Sequence, residues 1–110
     1  MRSIKSADGV VFADDKKEEE FNSLPEDDWL KKALKRTISN LRENVLCGEK
    51  IRKRLIPRAY IQKYNINNLF WYSLPNAWRL VYSILMDDSL TIAIIIEYFN
   101  HKDYERKFRY

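Results

Sequence analysis

The sequence predicts an α+β fold in which an antiparallel sheet of about four strands carries two N-terminal helices packed on one face. Three observations lead there. Apolar residues recur at helical spacing through residues 26–46, and the last third of the chain turns to aromatic and β-branched runs separated by two tight turns. The chain has 110 residues, 45% of them hydrophobic, which suits a single domain spanning residues 1–110 with one modest core.

The elements follow in chain order. Val10-Val11-Phe12 comes after Asp8-Gly9 and reads as a first strand that joins the same sheet. Asp14 and Asp15 offer an N-cap to a short helix over residues 16–23, which Leu24-Pro25 ends because a residue before proline avoids helical geometry. A longer helix is expected over 26–46. Pro25 and the acids Glu26, Asp27 and Asp28 stand at its positive end, and Gly48 stands as its C-terminal stop. Leu30, Ala33, Leu34, Ile38, Leu41 and Val45 form its apolar face, which covers the sheet. Pro57 opens a helical turn in which Tyr60, Ile61 and Tyr64 share a side. Strands are expected near 69–74, 77–86 and 90–99, joined at Pro75-Asn76 and Asp87-Asp88-Ser89 as an antiparallel meander. The charged, aromatic tail from His101 to Tyr110 reads as a helical turn.

Composition narrows the function classes. Cys47 is the single cysteine, so no intrachain disulfide framework is available, and a reducing compartment is expected. Met1–Asp8 has no apolar stretch, and the run Ile92–Ile96 is too short to span a bilayer. A cytoplasmic protein without membrane contact is the expectation. The net charge is +4, unevenly spread: nine acids against four cations leave residues 1–28 at −5, so the rest carries +9. Such asymmetry fits a basic surface for a polyanion beside an acidic end, or two solvated helix faces of opposite sign.

One histidine and one cysteine do not make a zinc site, and two distant glycines leave no phosphate loop, so no metal or cofactor is expected. Asp14-Asp15 and Asp87-Asp88 sit where caps and turns explain them. Nothing in the spacing brings Cys47 to His101 as nucleophile and base. Two features remain. Arg52, Lys53, Arg54, Arg58 and Lys63, interleaved with Tyr60 and Tyr64, have the composition that holds single-stranded RNA by charge and stacking, or that of a solvated basic loop. Arg79 stands in the strand Trp78–Leu85, on the face shared with Val81, Ser83 and Leu85. If the helix covers the other face, Arg79 lies on an uncovered one; the alternative is a cross-strand pair with Glu97.

The string Trp78-Arg79-Leu80-Val81-Tyr82-Ser83-Ile84 resembles the arginine strand of RelE-type toxins. The ending Ile94-Ile95-Ile96-Glu97-Tyr98-Phe99-Asn100-His101-Lys102-Asp103-Tyr104 is similar to their last strand and tail. The resemblance to the RelE/ParE superfamily covers nearly the whole chain. It implies the toxin component of a toxin–antitoxin system, a metal-independent, ribosome-dependent mRNA endoribonuclease neutralised by a cognate acidic antitoxin. It also implies Arg79 as phosphate binder, His101 or Tyr104 as proton-transfer groups and Lys102 as charge stabiliser. RNA supplies its own 2′-OH nucleophile, so cations, a base and an acid suffice. The sequence departs from the pattern in two places: residues 69–74 carry no lysine, and residues 56–68 form a longer connection. The alternatives are a non-catalytic binding module on the same fold, inhibiting a topoisomerase or binding RNA or protein, and a purely structural interaction protein.

Overall fold

The computed structural model describes residues 4–108; the last two residues of the tail, in which a helical turn is expected, lie outside this range. Strand β1 (Gly9–Phe12) leads into helices α1 (Asp15–Ser23) and α2 (Trp29–Glu43). A two-residue strand β2 (Glu49–Lys50), a 3-10 turn (Lys53–Leu55) and helix α3 (Arg58–Tyr64) follow. Strands β3 (Phe70–Ser73), β4 (Arg79–Met86) and β5 (Thr91–Phe99) and helix α4 (His101–Phe108) complete the chain. The fold is α+β, with a five-stranded sheet in the order β1-β5-β4-β3-β2. Among the described residues no helix is long and apolar enough to cross a membrane.

The three C-terminal strands pair consecutively and antiparallel, as the two tight turns require. The expected all-antiparallel sheet of about four strands is corrected to a mixed one, because β1 pairs parallel with β5, Gly9 opposite Ile92 and Phe12 opposite Ile95. Parallel neighbours need a long crossover, and here the whole intervening chain supplies it. The fifth strand, β2, is too short to leave a hydropathy signal; Glu49 and Lys50 pair with Trp71 and Phe70.

Helix α1 begins where expected, with the Asp14 carboxylate accepting from the Lys16 N–H at 2.8 Å. Helix α2 is shorter than the expected 26–46. Pro25 starts a turn closed by the Asp28 N–H on the Pro25 carbonyl at 3.1 Å, and Asp28 then caps Leu30 at 2.8 Å. Its other end is Asn44, in extended conformation, so Gly48 is not its stop. The carbonyls of Arg42 and Lys5 and the amides of Ala7 and Val45 bind the N-terminal segment to this end instead, at 2.8 Å each.

Two apolar clusters sit on opposite faces of the sheet. On the first, Leu34 and Leu41 of α2 and Val45 pack against Leu80, Tyr82, Ala93 and Ile95, all fully buried. Burying each such aliphatic chain contributes about 1.5–3 kcal/mol. Lys31 of α2 is buried with them, and its ammonium donates to the Phe21 carbonyl at 2.7 Å, which ties the end of α1 to α2. The second face is where expectation and structure part. It is covered, by α3, α4 and the connection before them, with Ile51, Ile56, Tyr60, Tyr104 and Phe108 packed on Val81, Ile96 and Phe99. The tail alternates buried Tyr104 and Phe108 with charged residues, which is one apolar stripe of a helix.

A bulge adjusts the two faces. Val81 opposes Glu97 while Tyr82 opposes Ile95, so Ile96 is an extra residue in β5. Ile94, Ile96 and Phe99 therefore all reach the second cluster, whereas strict alternation would have turned Phe99 away.

Candidate nucleic-acid interface

Arg79 opens β4 and is half-buried on the second face. Its guanidinium carbon lies 4.1 Å from the centre of the Trp71 ring and 4.4 Å from that of Tyr104. Trp71 is two residues from Ser73, the cross-strand partner of Arg79, so both side chains share one face of the sheet. Tyr104 comes down from α4. The cation is thus held between two aromatic faces, a contact that costs little desolvation because guanidinium is weakly hydrated. The expected open face around Arg79 is replaced by this sandwich, since α4 lies across it. The alternative pairing with Glu97 is not formed either. The Tyr60 hydroxyl donates a short hydrogen bond to Glu97, and burial of Tyr60, with that carboxylate beside it, pushes its hydroxyl pKa well up.

The other residues implied by the resemblance are spread over α4. Asn100 caps the helix, its side-chain oxygen accepting from the Asp103 N–H at 2.8 Å. His101 and Lys102 follow in the exposed first turn. His101 meets Glu105 one turn later on the solvent side. Tyr104, by contrast, is 1% exposed and stacks on Phe108 at 4.5 Å. The structure therefore brings Arg79 and Tyr104 together and leaves His101 and Lys102 on the outer surface.

The basic segment forms part of the layer over the second face. Ile51, Ile56 and Tyr60 are its buried anchors, and Arg52, Lys53, Arg54, Arg58 and Lys63 stay exposed between them. Residues 50–68 contain no acid. Lys63 reaches back to Asp14 at 3.0 Å, and this contact, with the Lys16 amide, holds the Asp14 carboxyl below its ordinary range. The stacking role expected of the two tyrosines is corrected for one of them. Tyr60 is buried at 4% exposure, because its ring packs 6.3 Å from Phe108. Tyr64 is half-buried, its hydroxyl donating to Asp14 at 3.4 Å.

No protein-family model, curated protein or solved structure matches this chain. The functional reading therefore rests on the geometry and on the residues themselves. Sequence reasoning missed Trp71 as a partner of Arg79. The pairing depends on register: a two-residue turn at Pro75-Asn76 would set Arg79 opposite Tyr72, whereas the longer connection between β3 and β4 sets it opposite Ser73 and brings Trp71 to the same face.

Proposed function

We propose that this chain is a RelE/ParE-type module that binds single-stranded RNA on the basic layer over its second sheet face, without cleaving it. The observation that carries this reading is the cluster of exposed cations Arg52, Lys53, Arg54 and Arg58 in a stretch free of acids. Each such cation placed on a phosphate releases condensed counterions, which supplies affinity without sequence preference. Arg79, held against Trp71 and Tyr104 beneath α4, is not one of these exposed cations. The groups that cleavage would need as proton carriers are engaged otherwise: His101 with Glu105, and Tyr104 in the apolar cluster. An acidic antitoxin would compete for the same layer, and a ribosome would present RNA to it, both in the cytoplasm.

One observation favours the ribosome-dependent endoribonuclease as a second reading: Arg79 and Tyr104 do share a site, 4.4 Å apart. The two readings separate in one experiment. End-labelled single-stranded RNA is incubated with the protein, with and without ribosomes, and both retention and chain length are followed. The binding reading expects retention with full-length RNA throughout. A defined cleavage product that disappears with Arg79→Ala would replace it with the nuclease.

A further inference from the structure

A cleft of about 700 Å³ lies between α1 and α4 at the end of β5, lined by Trp78 and Phe99, the chain neighbour and cross-strand partner of Arg79, but not by Arg79 itself. Its size is that of a site for a small organic group. Leu24 and Leu30 form one apolar wall, and Trp78 lines it beside the end of β5, braced by an edge-to-face contact with Trp29 at 5.5 Å.

The charges around it decide what fits. Lys17, Arg106 and Lys107 are matched by Glu20, Glu97 and Asp103, so the lining is formally neutral. Each carboxylate already has a partner. Glu20 accepts from the Tyr98 hydroxyl at 3.2 Å and pairs with Lys17 at 3.4 Å; Asp103 pairs with Arg106 at 3.5 Å; Glu97 accepts from Tyr60. A free anion gains little from such a lining. A flat neutral group with apolar faces and a polar edge gains from both, by packing on Trp78 and the leucines and by donating N–H groups to carboxylate oxygens. Helix α4 supplies the link to the rest of the surface. Arg106 and Lys107 border the cleft, while Lys102 on the same helix is exposed.

We infer that this cleft is a nucleobase subsite, taking one unstacked base of an RNA strand whose phosphates run along α4. The inference rests on the RNA-binding reading above and adds a base-dependent contact to a charge-dependent surface. A side chain of a protein partner is the competing occupant.

The test is fluorescence anisotropy with a short labelled single-stranded RNA and a set of copies each lacking one base. At one position, loss of the base should weaken binding to the unaltered protein about five- to ten-fold, as for loss of one stacked base. Leu24→Trp, which fills the cleft from its wall, should weaken intact RNA by a similar factor and remove the difference between intact and abasic strands. Salt dependence should be unchanged. If every abasic strand binds as tightly as the intact one, the base site is wrong while the basic layer stands, and a protein side chain becomes the occupant. If no RNA is bound, the RNA reading fails together with this one. The abasic scan uses the unaltered protein, so it decides the question even where a variant fails to fold.

Discussion

Gly48 lies where a side chain has no room: an added Cβ would sit 2.7 Å from both the Trp71 carbonyl oxygen and the Tyr82 hydroxyl. That hydroxyl is itself buried, donating to the Val45 carbonyl at 2.7 Å and accepting from the Gly48 N–H at 2.9 Å. Gly48→Ala should therefore cost roughly 1–3 kcal/mol through overpacking. Tyr82→Phe should cost a similar amount, roughly 1–3 kcal/mol, by leaving the buried Val45 carbonyl and the part-buried Gly48 N–H without this partner. Urea unfolding reads both, and neutrality of either would contradict the packing described. At the β3–β4 connection Asn76 and Ala77 have φ of 61° and 62°. Asparagine tolerates this region but alanine is strained there, so Ala77→Gly should raise stability by roughly 0.5–1 kcal/mol, less if unfolded-state entropy offsets the relief. Residue roles were legible unevenly. Gly48 was visible as special, but a sequence does not distinguish a helix stop from a close approach of two backbones. Arg79 was conspicuous as a cation in an apolar strand, whereas its contact with Trp71 depends on the β3–β4 register and that with Tyr104 on where α4 lies.

Among elements, the helices and the meander strands were readable because apolar period and turn chemistry agree over long stretches. The boundaries of α2 were not. Asp28 and Asn44 outcompete Pro25 and Gly48 as ends, since each side chain satisfies a backbone amide directly, on Leu30 at 2.8 Å and Leu46 at 3.0 Å. The covered second face was hidden for a different reason: α3 and α4 are short, and their apolar stripes are two or three aromatic residues set among charges. The attachment of α3 makes a pH-dependent prediction. Asp14 has a lowered pKa, chiefly from its hydrogen bond to Lys63. A carboxyl whose folded value is depressed contributes stability that is full above its ordinary value of 3.8 and fades as pH falls through the lower folded value. Asp14→Asn should thus lower stability at neutral pH and leave little difference from the unaltered protein under strongly acid conditions. Thermal melting across that range checks it, and a constant difference at all pH values would mean the contact does not titrate as described. The effect is expected to be modest, because Lys63 is exposed.

At the scale of the whole molecule, the charge asymmetry read from the sequence takes a definite position. Residues 50–68, which have no acid, lie in the layer over one sheet face, and the acid-rich helix α1 flanks the other. The sequence could show that the charges were segregated along the chain; only the folding of α3 over Val81 and Ile96 places them on a single layer. The central claim is that this layer binds RNA by neutralising phosphates. It is tested most directly by the slope of log affinity against log salt for single-stranded RNA, measured for the unaltered protein and for Arg52→Gln/Lys53→Gln/Arg54→Gln. Each phosphate contact on a single strand contributes about 0.7 to that slope, so the triple variant should bind more weakly with a slope smaller by roughly 2. An unchanged slope and affinity in the variant would contradict the account.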